Sequence, residues 1–257
     1  MTGSYEHIEI LLKDDLAFLV FNRPDQLNAM NRKMMGEIIK GIGEINLNEQ
    51  VRVAVIRGKG RAFMAGADIK EYASQTPEEF RSFQENGKNL YESIEGSDKP
   101  WIAAVDGFAL GGGCEIALAC DLILASHRSK MGLPEVHLGL IPGGGGTQRL
   151  TQKVGINRAK EMLFTGGQYT ATELHGWGIV NRVFDDEKFD GEVQAFAKKL
   201  ARRSTQSIAQ LKRLTRLSLT STPFGDRINE EARTVEKLFL TDEAQHAIKA
   251  FASKTKS

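Results

Sequence analysis

Two glutamates stand beside glycine-rich turns in this chain. Glu115 follows Gly111-Gly112-Gly113-Cys114, and Glu135 follows Pro134 twenty residues further on. Two other turns, Ala65-Gly66-Ala67-Asp68 and Pro142-Gly143-Gly144-Gly145-Gly146-Thr147, also place glycines where backbone must come close to something. Glycine runs leave amides bare. At the start of a helix such amides have no intrahelical acceptor and a dipole behind them, so they suit a phosphate or a developing oxyanion. An acid and a base facing one small volume beside them could add or remove water across a double bond conjugated to a carbonyl. Taken singly, each glutamate reads equally as a first-turn acid complementing a helix dipole, and each turn as a tight turn only.

Other chemistries lack their residues. There is no GxGxxG in register and no GxxxxGK[ST], so neither a dinucleotide fingerprint nor a P-loop is expected. No GxSxG occurs, and neither Cys114 nor Cys120 has an obvious histidine partner in sequence. The five histidines, His7, His127, His137, His175 and His246, form no HExxH or paired spacing, so no metal site is expected.

The elements that must position these residues alternate. Leu16 to Asn22, Val51 to Gly58, Trp101 to Gly107, Asp121 to Ser126 and Gly178 to Phe184 are short β-branched or aromatic runs bounded by turn residues, and read as strands. Asn31 can cap a helix whose Met34, Met35, Ile38, Ile39, Ile42 and Ile45 recur at helical spacing. Thr76-Pro77-Glu78-Glu79 is a capping box opening a second helix towards Ile94. After Phe189 the pattern turns to successive amphipathic helices: 189–203, 207–217, 226–240 and 242–254. The expected fold class is therefore α/β, with a body over 1–188 and a helical region over 189–257.

Composition limits the partners. The chain has 257 residues, 41% of them hydrophobic and 26% charged, and a formal charge of +1. That near-neutral balance offers no global field for a polyanion. Lys198, Lys199, Arg202, Arg203, Lys212, Arg213 and Arg216 make a local basic cluster in the tail, without interleaved aromatics, which reads better as a solvated or interface face than as an RNA site. Two cysteines in an apolar run point to a reducing compartment. Acids early in MTGSYEHIEILLKDD, and no run of membrane-spanning length, make the expected location cytoplasmic.

Asn22-Arg23-Pro24 with Asn28-Ala29-Met30, Ala65 through Lys70, Ala104-Val105-Asp106-Gly107 followed by Ala109 through Glu115, and Pro134-Glu135 followed by Gly139, Pro142 and Gly145 through Arg149 occur in that order. In order and spacing, over nearly the whole chain, they resemble the successive signatures of the crotonase (enoyl-CoA hydratase/isomerase) superfamily. The resemblance implies a spiral of ββα turns with C-terminal helices that assemble homotrimers, commonly homohexamers built as a dimer of trimers. It implies an oxyanion hole at the amides of Ala67 and Gly112 for the thioester oxygen of an acyl-CoA, which is substrate rather than cofactor. It makes Glu115 and Glu135 the acid/base pair of an enoyl-CoA hydratase acting in fatty-acid or related acyl-CoA degradation. Ala65, Ile69 and Lys70 resemble CoA contacts, and Phe251 and Lys254 resemble tail residues that reach a neighbouring subunit's CoA site. Met64, where relatives often carry a small residue, is expected to narrow the CoA entrance. Acyl chain length is expected to depend on the Thr76 to Ile94 helix, with Phe80, Phe83, Leu90 and Tyr91. Double-bond isomerisation is the alternative within the superfamily, disfavoured by Glu115, and an RNA-binding or scaffolding role the alternative outside it.

Overall fold

The computed structural model describes residues 5–254. In chain order the strands are β1 (Ile8–Lys13), β2 (Leu16–Phe21), β3 (Val53–Gly58), β4 (Ala62–Met64), β5 (Trp101–Val105), β6 (Phe108–Leu110), β7 (Leu122–Ser126), β8 (Lys130–Gly132), β9 (Tyr169–Thr170) and β10 (Arg182–Phe184). The helices are α1 (Arg32–Leu47), α2 (Ile69–Ala73), α3 (Pro77–Glu95), α4 (Gly112–Ala119), α5 (Gly146–Thr165), α6 (Ala171–Gly176), α7 (Phe189–Ala201), α8 (Thr205–Leu217), α9 (Phe224–Phe239) and α10 (Asp242–Lys254).

Successive strand pairs feed two sheets. One sheet has the order β1-β2-β3-β5-β7-β10 and the other β4-β6-β8-β9. The pairs β3/β4, β5/β6 and β7/β8 each give one strand to each sheet, and helices return the chain after β4 and β6. This is the expected α/β spiral. The larger sheet is parallel except for the β1–β2 hairpin, whose register pairs Ile8 with Phe21 and Lys13 with Leu16.

Alternation along the strands decides which residues meet which helices. Leu19, Ile56, Ala103 and Ile123 face the core shared with α1, α3 and α4, while Leu16, Val55, Ile102 and Leu124 pack on Phe189, Val193 and Ala197 of α7. Thus α7, beyond the 188/189 division, lies on the sheet of the body. Both expected caps form: Asn31 accepts from the Met34 amide, and Thr76 and Glu79 make a reciprocal capping box.

Two sequence expectations need correcting. Only Arg182–Phe184 of the 178–184 run is strand, because Gly178 sits at φ +82° and the Ile179 amide closes back onto Leu174 O. Met64, the last residue of β4, is fully buried against Gly113, not at an entrance: a Cβ on Gly113 would stand 2.8 Å from Met64 Cβ.

The basic cluster of the tail is largely spent on holding helices. Lys212, its side chain 8% exposed, donates through Nζ to Ile94 O, Lys99 O and Asp121 Oδ2 at 2.9–3.1 Å. Arg213 pairs with Glu230, Lys198 with Asp14, and Arg216 Nη1 donates to Glu95 O. No helix among the described residues is long and apolar enough to cross a membrane.

Candidate active site

The site is a cavity of about 130 Å³ whose wall includes Ala67, Gly112, Glu115 and Glu135. Four turns distant in sequence meet there.

The Ala67 turn is built first. In the short parallel bridge between Met30 and Ala67, the Met30 amide donates to Gly66 O (2.8 Å) and the Asp68 amide to Met30 O (2.9 Å). Backbone direction alternates, so the amide of Ala67 between them points the other way and has no backbone acceptor among the described residues. The Asn22-Arg23-Pro24 motif anchors this turn. Arg23 Nη2 pairs with Asp68 Oδ2 at 3.0 Å, Asn28 Nδ2 donates to Ala62 O at 2.7 Å, and the Ala65 amide donates to Leu27 O at 3.0 Å. Burial works against ionisation of Asp68, but Arg23 and backbone amides outweigh it and hold the carboxyl below its ordinary range.

The Gly112 amide opens α4. The neighbouring Gly111 amide is spent on Gly132 O, and Glu115 N closes onto Gly111 O, whereas Gly112 is the first helical residue and has no intrahelical acceptor. Glu115, in the first turn, is 3% exposed. Its Oε1 accepts from the amides of Gly144 (2.7 Å) and Gly146 (2.8 Å), and the Tyr91 hydroxyl lies 3.5 Å from Oε2. The bare amides of the third glycine turn therefore receive a carboxylate of the protein itself, not a ligand anion.

Arg149 ties these donors together. Its Nε and Nη2 grip Glu95 at 2.6 and 2.9 Å, Nη1 donates to Gly144 O, and the guanidinium lies 5.3 Å from the centre of the Tyr91 ring. Burial and the adjacent Glu115 push the Tyr91 phenol well above its ordinary range, so it stays a donor. None of Tyr91, Gly144, Gly146 or Arg149 is assigned to Glu115 by the sequence. The only signal is that Gly145 through Arg149 belong to the ordered motifs that carry the family resemblance.

The two carboxyls differ in environment. Burial raises Glu115, while the Gly146 and Gly144 amides, Arg149 and Tyr91 oppose that rise. Glu135, following Pro134 in the 3-10 segment Pro134–Leu138, has less help: its Oε2 is buried with no hydrogen-bond partner among the described residues, and burial with the nearby Glu115 charge raises it to about 7. Both carboxyls are therefore raised, but only Glu115 has donors that oppose the rise.

The other sequence candidates separate. Ala65 and Ile69 line the cavity; Lys70 is exposed and does not. Of the α3 residues, Phe83 and Tyr91 reach the wall, while Leu90 is fully buried in the core and Phe80 stacks edge-on against Tyr72. Phe251, 75% exposed on α10, is outside the cavity of its own chain, and the side chain of Lys254 lies outside the described residues. Among the described residues no group of three or more His, Cys, Asp or Glu could hold a metal ion.

Residues 12–257 match the family model for enoyl-CoA hydratase/isomerase. The crotonyl-CoA hydratase of Syntrophomonas wolfei is 36% identical over 255 residues, 99% of this chain and 98% of that one. The short-chain-enoyl-CoA hydratase of Clostridium acetobutylicum is 36% identical, covering 94% and 92%. Among solved structures, an enoyl-CoA hydratase subunit I from Geobacillus kaustophilus superposes with a TM-score of 0.93 at 37% identity, covering 98% and 97%.

Proposed function

Because the chain belongs to the enoyl-CoA hydratase/isomerase family, we propose that it adds water across the double bond of a trans-2-enoyl-CoA to give the 3-hydroxyacyl-CoA. The observation that carries this reading is the pair of carboxyls on one cavity, one held by backbone amides and one raised to about 7. In the proposed step the thioester oxygen lies against the amides of Ala67 and Gly112. Glu115 takes a proton from water as the water oxygen bonds to the β-carbon; the π electrons move to the thioester as an enolate, and protonated Glu135 delivers a proton to the α-carbon. Negative charge grows on the thioester oxygen in the transition state, where each bare amide is worth on the order of 3 kcal/mol. Every proton is carried by the two glutamates, and acyl-CoA enters as substrate. Isomerisation would need only one carboxylate, which leaves the three donors around Glu115 without a purpose.

The same reading carries further assignments: a homotrimer or dimer of trimers, in which Phe251 and Lys254 approach the CoA site of a neighbouring subunit, and a place in cytoplasmic acyl-CoA degradation. The test is loss of the conjugated enoyl-thioester absorbance when the protein meets crotonyl-CoA, run beside Glu115→Gln and Glu135→Gln. Rapid loss in the parent, with both variants slowed by orders of magnitude, supports the reading. Equal rates in parent and variants would sink it.

A further inference from the structure

Along α3 the residues Phe83, Gly87 and Tyr91 are spaced one turn apart, so they share one face, and all three are buried on the cavity wall. The middle one has no side chain. Across from it stands Met35 of α1, on the same wall. The cavity is closed at this end by buried groups and open at the other, where Ile69 and Ile141 are 52% and 77% exposed. A thioester gripped at Ala67 and Gly112 with its CoA towards the open end therefore points its acyl chain at the notch between the two rings.

Glycine is a poor choice in the interior of a 19-residue helix. Two ordinary reasons for it do not hold at Gly87. Its backbone is helical, so no left-handed conformation demands it, and it is not needed for the close approach of α1 to α3. A Cβ there would meet only Met35 Cε and Tyr91 Cε2, each at 3.8 Å, which is ordinary contact. What the missing side chain does leave is open volume in the cavity.

We infer that Gly87 is a specificity-determining residue: the gap it leaves between Phe83 and Tyr91 admits acyl chains longer than four carbons. The inference rests on the acyl-CoA reading of the site, and its test does not depend on turnover. Calorimetric affinities for butyryl-CoA and octanoyl-CoA, both saturated and unreactive, are measured on the parent, Gly87→Ala and Gly87→Leu. The alanine variant is expected to weaken octanoyl-CoA about tenfold more than butyryl-CoA, in line with what one methyl group does in an apolar pocket. The leucine variant should widen that gap. Gly87→Ala should also melt about 2–4 °C higher, since alanine is the better helix former and has room, which separates a filled notch from a damaged fold. Equal shifts for both chain lengths, or none, overturn the inference, and so does failure of the parent to bind either acyl-CoA. Absence of crotonyl-CoA hydration by a parent that binds both ligands would count against the hydratase reading alone.

Discussion

Gly66 and Gly111 face each other across the cavity rim: a Cβ on Gly111 would stand 3.7 Å from Gly66 Cα. Both have positive φ, +98° and +50°. Each immediately precedes a residue with a free amide, so the approach of these two glycines brings the Ala67 and Gly112 donors to one small volume. The pairing also brings in Glu135, because the same Cβ would lie 2.9 Å from Glu135 Oε1.

Gly111→Ala is accordingly expected to damage the chemistry more than the fold. Gly111 sits at φ +50°, ψ −124°, outside the left-handed helical well, so an alanine there costs about 1–3 kcal/mol, and the methyl displaces Glu135 and the α4 start together. A fall in kcat of about 100-fold or more, with the melting temperature lowered by less than about 12 °C, is the expected outcome. Steady-state kinetics beside thermal melting measures both.

The pH profile follows from a shared proton. In the proposed step, hydration needs that proton on Glu135 with Glu115 ionised, whereas dehydration starts with it on Glu115. These are two arrangements of the same singly protonated pair, so kcat/KM in the two directions must follow the same bell. Its alkaline limb is expected near 7, where Glu135 loses its proton, and its acid limb above the ordinary glutamate range, because Glu115 is raised. Initial rates in both directions between pH 4 and 9 check this, and profiles that diverge would exclude the shared proton.

Stability gives an independent reading of Glu135. Its folded value is about 7 against 4.5 for the free side chain, so the folded state binds a proton more tightly than the unfolded one. Stability then falls as pH rises between those values, and the cost is constant above 7. Glu135→Gln removes this cost. The variant should match the parent near pH 4 and exceed it by on the order of 1–2 kcal/mol at pH 8, a magnitude discounted for partial exposure. Urea unfolding at the two pH values measures it.

The glutamates were legible in the sequence because their types are scarce beside glycine turns, and the order of the motifs placed them on one site. The roles of Asn22-Arg23-Pro24 and of the third glycine turn were not. Arg23 meets Asp68 across 45 residues and Gly146 meets Glu115 across 31. Neither contact leaves a local period to read. Strands β4, β6, β8 and β9 are two or three residues long, too short for alternation, although they form the second sheet. The amphipathic helices of the tail were legible for the opposite reason: each carries its own repeat.

Asp68→Asn tests the anchor of the Ala67 turn. It leaves Arg23, 11% exposed, without its ionic partner, and removal of one member of a largely buried pair costs about 2 kcal/mol or more. Because Asp68 follows Ala67, catalysis should fall with stability, mostly in kcat. A variant that loses stability but keeps kcat would show that the Ala67 amide is held by the Met30 bridge alone.

Arg149 makes the last prediction, because it touches two of the groups that hold Glu115 without touching Glu115 itself. Arg149→Lys keeps a positive charge but cannot reproduce the two-pronged grip on Glu95 together with the contact to Gly144 O and the Tyr91 ring. Arg149→Ala also removes the charge. If the role is electrostatic, lysine restores activity. If it is positional, both variants lose kcat, by about tenfold or more, because the Gly144 amide and the Tyr91 hydroxyl drift from their carboxylate. The charge still has its own signature. Arg149 favours the ionised form of Glu115, so its removal raises that carboxyl further and moves the acid limb of the pH profile upward in Arg149→Ala but not in Arg149→Lys. A loss of kcat in both variants, with an upward limb shift only in the alanine one, is the expected outcome, and unchanged kcat in either would remove Arg149 from the positioning of Glu115.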